Sequence, residues 1–248
     1  MNLLLVDEVR DEYRFSAVDP SFAALRRLGG GEVCVGVVNG PRGIGRRVGT
    51  SAAEVRVEDL RWETRPPPPP SPIDLVVGLP RPADARRILV QAGALGVRAI
   101  TFVVLDRTPP GYESSRMIAA ESAGICLREG LEQGFHTFLP SFGGVRGLAP
   151  ALEQADPSRP LTVLDPYLGE ALFGEAGEPP DAPGTIILGS ERGFSPEEQK
   201  RLAAPTLRRR HLGPAILRTE TAVTAAVTLA HRVSGYSKSC RGAVIRPG

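Results

Sequence analysis

The sequence has little from which a metal site could be built. Only three cysteines and three histidines occur among its 248 residues. The cysteines, Cys34, Cys126 and Cys240, lie far apart, and none has a Cys-x-x-Cys partner or a histidine at zinc-ligand spacing. We therefore expect buried free thiols and no metal site. The histidines are equally scattered, at His136, His211 and His231.

Long apolar runs are also missing. Hydrophobic residues make up 42% of the chain, yet no stretch approaches the roughly 20 consecutive apolar residues that a membrane-spanning helix needs. The first residues are followed by the acidic Asp7 and Glu8, whereas a secretory signal would have a basic segment and a small-residue cleavage site. These absences predict a cytoplasmic protein with no membrane partner.

Lysine is nearly absent, because Lys200 and Lys238 are the only lysines among 30 basic residues. The remaining basic residues are arginines, and the formal net charge is only +2. A guanidinium presents a planar fork of donors that matches phosphate oxygens, so this composition suits phosphate recognition. Codon bias explains the same composition, so the arginines indicate a nucleic-acid partner only together with other features.

A run of prolines divides the chain into two segments of different character. Residues 66–72 are almost all proline and predict an extended linker, because proline donates no backbone hydrogen bond. Residues 1–65 predict a small β-rich domain with one helix at 21–28 and strands at 3–6, 32–38, 44–48 and 53–57. Its candidate side chains for binding a nucleic acid are basic: Arg26, Arg27, Arg42 and Arg46.

Residues 73–248 predict an α/β domain, because near-continuous apolar strands alternate with helices. This pattern is typical of a parallel sheet that helices cover on both faces. The predicted strands are 73–77, 99–105, 161–164, 185–188 and 206–211. The predicted helices include 82–95, helical stretches between 113 and 154, and a closing helix at 219–233.

Three loops at the carboxyl ends of the predicted strands are rich in glycine, proline and paired charge, and ligands of such sheets bind at these ends. They span 164–166, 189–194 and 212–222. Taken singly, each loop is also compatible with an ordinary turn, with Pro196 in the first turn of one helix and Thr219 capping another. Ser190 is the second residue of Gly-Ser-Glu-Arg-Gly, which argues against a hydrolase nucleophile elbow. No dinucleotide-binding or P-loop motif follows a strand.

Taken in order, these loops resemble the RsmE family of SPOUT-type methyltransferases, which methylate N3 of a uridine in small-subunit (16S) ribosomal RNA. Residues 212–222 read Leu-Gly-Pro-Ala-Ile-Leu-Arg-Thr-Glu-Thr-Ala and are similar to the family signature. Residues 189–195 are similar to its Gly-Pro-Glu-Gly-Gly-Phe loop. Weaker similarity covers residues 128–140, with Glu129, Glu132 and Gln133, and the segment from Leu25 to Glu32.

The resemblance implies a trefoil-knotted catalytic domain, a PUA-like N-terminal domain and a homodimer that acts on ribosomal RNA or the small ribosomal subunit. It also implies S-adenosyl-L-methionine as cofactor, held mostly by backbone groups. By matching positions, the cofactor-binding residues are Leu164, Gly189, Gly193, Leu212, Gly213, Ile216 and Leu217.

Methyl transfer to N3 of uracil requires loss of a weakly acidic imide proton, and a fixed cation beside the uracil oxygens would lower that barrier. Arg218 is the candidate for this cation, and Glu191 or Glu220 is the candidate for accepting the proton. A structural salt bridge from Arg218 to either glutamate is the alternative.

The sequence departs from the family pattern at Ser190, Arg192 and Ala215, and residues 92–94 lack the usual Lys, Thr and Glu. Two other functions therefore stay open. One is a SPOUT methyltransferase for another RNA site, such as a ribose hydroxyl. The other is a ribosome-assembly factor that binds RNA but has lost catalysis.

Overall fold

The N-terminal segment folds as a five-stranded sheet with one short helix. The computed structural model describes residues 3–19, 21–27, 31–51, 53–64, 67, 69–175 and 184–236. The sheet order is β1-β3-β4-β5-β2, with β1 parallel to β3 and the other neighbours antiparallel. Buried valines of β3 and β5 pack against the helix α1 and form the core of this sheet. The elements are β1 Leu4–Val6, β2 Tyr13–Ser16, α1 Phe22–Arg27, β3 Gly31–Val37, β4 Arg42–Thr50 and β5 Glu54–Trp62.

The second segment contains a seven-stranded parallel sheet between two layers of helices. Its central strand at 74–78 is apolar along most of its length because both faces are buried, with Leu75 and Val77 on one face and Val76 on the other. The strands are β6 Asp74–Gly78, β7 Ala99–Val104, β8 Ser141–Gly147, β9 Leu161–Leu164, β10 Ala171–Leu172, β11 Thr185–Leu188 and β12 Leu207–His211. The helices are α2 Pro82–Ala94, a 3-10 turn Arg116–Ile118, α3 Ala120–Gly134, α4 Leu148–Glu153, α5 Pro196–Arg201 and α6 Thr219–Val233.

The strand order places three chain-distant loops side by side. The order is β10-β12-β9-β11-β6-β7-β8, so β9 lies between β11 and β12. Leu188, at the end of β11, pairs with Leu164 at the end of β9, and Leu164 also pairs with Arg210 of β12. Because these strands are parallel, the three loops that follow them emerge at one edge of the sheet.

The N-terminal sheet contacts helix α3 of the second segment through a small apolar cluster and several hydrogen bonds. Leu3, Leu5 and Cys34 pack against Leu131 of α3. Arg128 of α3 donates hydrogen bonds to the Leu5 carbonyl at 2.8 Å and to the Asp7 carboxylate at 3.0 Å. The N-terminal sheet is therefore docked on the helical layer of the second segment.

Arg42 belongs to this contact and does not lie on an open surface. Its side chain is only 5% exposed and donates to the carbonyl of Phe135 at 3.4 Å, with Glu63 as its ion-pair partner at 3.5 Å. A guanidinium enclosed in this way has no free face for a phosphate. This burial corrects the expectation that Arg42 contacts RNA, and we leave Arg42 out of the RNA-binding surface.

The end of the proline-rich segment is anchored to the second domain. The Ser71 amide donates to the Gly96 carbonyl at 3.0 Å, and the Ser71 hydroxyl lies 2.9 Å from the His231 ring. The Tyr236 hydroxyl donates to the Pro69 carbonyl at 3.0 Å. Residues 66 and 68 lie outside the described residues, but 69–71 are fixed against α6 and do not form a free spacer.

Two histidines near this anchor predict a loss of stability in acid. Burial lowers the pKa of both His136 and His231 to about 4, whereas an unfolded histidine has a pKa of about 6.5. Between these values only the unfolded chain takes up protons, so stability falls as pH falls, by up to about 1.4 kcal/mol per pH unit for each histidine. The free energy of unfolding of the wild type should therefore fall more steeply below about pH 6.5 than that of His136→Gln/His231→Gln. Urea denaturation across this pH range measures the difference, and parallel profiles would contradict the prediction.

Several elements differ from the sequence-based expectation. Helical stretches were predicted between 113 and 154, and α3 and α4 lie there, but the strand β8 between them was not predicted. Its Gly143 and Gly144 disfavour a strand and lie beside a register irregularity at the sheet edge. The short strands β2 and β10 were not predicted. Thr219 is the first residue of α6 and not its cap, since Arg218 occupies the N-cap position.

Other expectations concern thiols, metals and membranes. Cys34 and Cys126 are buried and free, as expected, while Cys240 lies outside the described residues. In the part of the chain that the structure describes, no cluster of acidic, cysteine or histidine side chains is arranged to hold a metal ion. None of the helices described is long and apolar enough to cross a lipid bilayer.

Candidate active site

A cavity of about 320 Å³ lies at the edge of the sheet where the three loops emerge. It is lined by the residue that ends β9, by the loop after β11, and by the segment that leads into α6. Six of the seven residues predicted to bind the cofactor line it together: Leu164, Gly189, Gly193, Leu212, Ile216 and Leu217. Gly213, the seventh, is next to Leu212 but does not line the cavity itself.

The loop after β11 is held in place by a network that sequence reasoning missed. Ser195 caps α5 in a capping box with Glu198, which is 3% exposed. Glu198 also accepts a hydrogen bond of 2.9 Å from the Asp106 amide, and the Ser195 hydroxyl donates to the Asp106 carboxylate. Arg107 donates to the Arg192 carbonyl at 3.1 Å. The loop after β7 thus holds the loop after β11 in place, and no local sequence signal indicates this contact.

The loop after β9 is organised by the buried carboxylate of Asp165. One oxygen accepts from the amides of Tyr167 and Leu168, at 2.8 and 3.1 Å. The other accepts from the side-chain amide of Gln199 at 2.7 Å. This arrangement forms a tight turn directly after β9 and ties it to α5, so two walls of the cavity are fixed to each other.

The loop before α6 depends on a glycine conformation. Gly213 has φ +111°, a backbone conformation that side-chain-bearing residues rarely adopt. Its amide donates to the ring of His211 at 3.1 Å. A second glycine, Gly78 at the end of β6, allows close approach, because a Cβ there would lie 2.4 Å from the Ser190 amide nitrogen.

The cavity wall contains buried polar atoms that can form hydrogen bonds with a ligand. The Ser190 hydroxyl and the carbonyl oxygen of the Gln199 side chain are buried and have no hydrogen-bond partner among the described residues. Buried polar groups of this kind are normally satisfied. Together with the apolar walls formed by Leu164, Leu188 and Leu212, they suit a ligand that carries both an apolar face and hydrogen-bonding groups.

A second cavity, of about 380 Å³, adjoins the first and has a strongly charged wall. Glu191, Arg192 and Thr219 line both cavities and so form their common boundary. All three residues predicted to be catalytic, Arg218, Glu191 and Glu220, line this second cavity. The structure therefore gathers them at one place, next to the cavity that holds the cofactor candidates.

Arg218 projects from the N-cap of α6, with φ −63° and ψ 152°. Within the described residues its side chain forms no ion pair or hydrogen bond, neither with Glu191 nor with Glu220. The alternative of a structural salt bridge is therefore not realised in this conformation, and the guanidinium is available to a ligand in the second cavity.

The remaining basic candidates lie on the N-terminal sheet domain. Arg26 and Arg27 are exposed in the last turn of α1, and Arg26 lies 5.7 Å from the centre of the Phe22 ring. Arg46 of β4 is 57% exposed and pairs with Asp59 at 2.6 Å. Gly30, part of the weaker N-terminal resemblance, lies outside the described residues.

Comparison with known proteins identifies the family of this chain. Residues 67–231 match the family described as RNA methyltransferase domain. Over 220 residues the chain is 30% identical to the ribosomal RNA small subunit methyltransferase E of Treponema pallidum, covering 86% of this chain and 80% of that protein. The chain belongs to the ribosomal RNA small subunit methyltransferase E family. A Borreliella burgdorferi member, methyltransferase E 1, is 27% identical over 153 residues, 61% of this chain and 63% of its own.

A solved structure of the same family has the same fold. The Neisseria gonorrhoeae ribosomal RNA small subunit methyltransferase E, determined bound to S-adenosyl methionine, has a TM-score of 0.76 and 18% identity. The superposition covers 94% of this chain and 98% of that one.

One departure from the family pattern has a packing explanation. At Gly93 of α2, a Cβ would lie 2.2 Å from the Leu127 carbonyl oxygen of α3, and at Gly134 it would lie 2.2 Å from the Ala94 carbonyl oxygen. The two helices thus approach backbone to backbone, which only small residues permit. Gly93 is therefore required by this helix contact, which explains the absence of a larger residue at that position.

Proposed function

We propose that this protein transfers a methyl group from S-adenosylmethionine to N3 of a uridine in small-subunit ribosomal RNA. In this proposal residues 1–65 form a PUA-like RNA-binding domain, 66–72 a linker and 73–248 a SPOUT-type knotted methyltransferase domain, working as a cytoplasmic homodimer. The observation that carries the proposal is the pair of adjoining cavities that share Glu191, Arg192 and Thr219. One cavity suits a cofactor, and the other presents charged groups to a substrate.

The residues of the first cavity fit S-adenosylmethionine. Leu164, Leu212 and Leu217 offer apolar surface for an adenine ring, and the unpartnered atoms of Ser190 and Gln199 offer hydrogen bonds. Gly189 and Gly193 have no side chain, so a ligand can approach the backbone closely there. A Cβ built at Gly193 would have nothing within 4 Å of it. When bound, the cofactor supplies an electrophilic methyl group on a positively charged sulfur.

The residues of the second cavity fit the acceptor chemistry. Loss of the N3 proton leaves negative charge spread over the uracil oxygens, and the guanidinium of Arg218, which pairs with no described residue, stabilises that charge. Glu191 and Glu220 line the same cavity, and either carboxylate can accept the proton. Because Glu191 lies on the boundary between the cavities, it is the better placed of the two.

The test of the target is chemical analysis of ribosomal RNA. Small-subunit RNA from cells with and without the gene is digested to nucleosides and examined by mass spectrometry for N3-methyluridine. We expect the modification to disappear with the gene and to return when it is restored. Loss of a different methylated nucleoside would move the target to another RNA site. Unchanged modification, together with no cofactor binding by the purified protein, would favour an RNA-binding assembly factor.

The proposed RNA-binding face of the N-terminal domain predicts a change in salt dependence. Each phosphate contact that is lost lowers the slope of log affinity against log salt by about 0.7 to 0.9, so Arg26→Ala/Arg46→Ala should lower it by about 1.5. Filter binding to unmodified small-subunit RNA over a salt series measures this slope. The matched control is Arg10→Ala/Arg14→Ala, which removes two exposed arginines that are also ion-paired, at Glu8 and Glu12. Equal slopes for both double variants would remove Arg26 and Arg46 from the interface.

A further inference from the structure

The second cavity contains an arginine to which the proposed chemistry gives no role. Arg81 occupies the N-cap position of α2, and its side chain is 60% exposed. Its Nε donates a hydrogen bond to one oxygen of Asp84 at 3.0 Å, and its Nη2 lies 2.8 Å from the same oxygen in an ion pair. The Asp84 carboxylate is only 8% exposed. A nearly buried acid therefore orients an exposed guanidinium at the cavity wall.

Asp84 is shared with a second arginine, so this cluster keeps a positive charge. Arg87 donates from Nη1 to the other Asp84 oxygen at 2.5 Å and is 57% exposed. Two cations on one carboxylate leave a net charge of about +1. Arg81 lines the cavity but Arg87 does not. Hydrogen bonding to Asp84 raises the pKa of Arg81, with smaller contributions from Glu191 and Tyr112 across the same cavity.

The wall of the second cavity carries charges of both signs, with three arginines and three acids: Arg81, Arg192, Arg218, Asp84, Glu191 and Glu220. Glu191, at the boundary with the cofactor cavity, and Glu220 carry negative charge that would repel a phosphate. Arg81, Pro80 and Tyr112 line only the second cavity. A target base that reaches the boundary would leave its sugar and phosphate in the second cavity, which Arg81 lines.

We propose that Arg81, oriented by Asp84, binds a backbone phosphate of the RNA beside the target nucleotide and so positions the base. This inference rests on the proposed function, because it takes the second cavity as the nucleotide site. The Nη1 group of Arg81 is not used by Asp84 and is available to a phosphate oxygen, and a guanidinium fork suits phosphate geometry.

The test compares Arg81→Gln with Arg87→Gln. Each variant removes one of the two arginines that pair with Asp84, and the two arginines are about equally exposed. Arg81→Gln should raise KM for unmodified small-subunit RNA about 10-fold and lower the salt slope of RNA binding by about 0.7 to 0.9. The Kd for S-adenosylmethionine should stay unchanged. Arg87→Gln should leave all three quantities near wild type. A purely structural role for Arg81 would not change the salt slope.

A lysine variant of Arg81 and the activity of the wild type complete the test. Arg81→Lys, which retains the charge without the fork, should keep the wild-type slope and raise KM for RNA about 3-fold. If Arg81→Gln does not fold, Arg81→Lys replaces it in the test. A wild-type KM for RNA in Arg81→Lys would then contradict the proposal. If the wild type methylates RNA and Arg81→Gln has the same KM for RNA and the same salt slope, the proposed role of Arg81 is wrong while the proposed function stands. If the wild type transfers no methyl group to RNA, the proposed function fails, and the inference fails with it.

Discussion

Arg218→Ala should lower the turnover number by about 10²- to 10³-fold, the usual effect of removing one preorganised donor from developing negative charge. Arg218 lines the cavity that also holds Glu191 and Glu220, and no described residue neutralises its guanidinium. Because the charge on uracil develops during transfer, binding of RNA and cofactor should change far less than turnover. Single-turnover methylation at saturating RNA and cofactor isolates this step.

Two variants serve as references for Arg218→Ala. Arg218→Lys should recover activity only in part, because lysine keeps the charge but loses the planar fork. Arg201→Ala removes an arginine from the last turn of α5, outside both cavities, and should transfer methyl groups at the wild-type rate. A folded Arg218→Ala protein with near wild-type turnover would show that the charge is stabilised elsewhere.

Gly213→Val should weaken S-adenosylmethionine binding by about 10- to 100-fold, since forcing a side chain into this backbone conformation costs about 1–3 kcal/mol. Gly213 has φ +111°, and nothing lies within 4 Å of a Cβ built there. The effect must therefore act through the backbone: relaxation of the strain moves Leu212 and Ile216, which line the cofactor cavity. Isothermal titration calorimetry with S-adenosylmethionine measures the change.

Gly235→Val provides the matched control. Gly235 has φ +69° and also has open space around a built Cβ, but it lies beyond α6 and away from both cavities. Both variants should lose stability, and only Gly213→Val should lose cofactor affinity. Wild-type affinity in folded Gly213→Val would mean that this glycine is only a turn residue.

Much of the fold was predictable because local patterns report burial. The apolar runs at 161–164 and 185–188 are strands with the predicted bounds, and the apolar stripe at 219–233 is helix α6. A strand covered on both faces has to be apolar throughout, so its sequence carries the signal by itself. β8 was missed because Gly143 and Gly144 weaken that signal at the sheet edge. Pairing with β7 supplies the missing stability from a distant part of the chain.

The sequence alone determined the α/β class and the three loops that follow the strands, because backbone conformation and burial are local demands on residue type. The tertiary structure decided which loops meet. Only the position of β9 between β11 and β12 joins residues 164, 189 and 212 in one cavity. It also decided the surroundings of individual arginines: Arg42 is buried beside the end of α3, Arg218 forms no ion pair with any described residue, and Arg81 is held by Asp84. Burial and charge pairing of a side chain depend on neighbours distant in the chain, so composition and spacing could not distinguish these three residues.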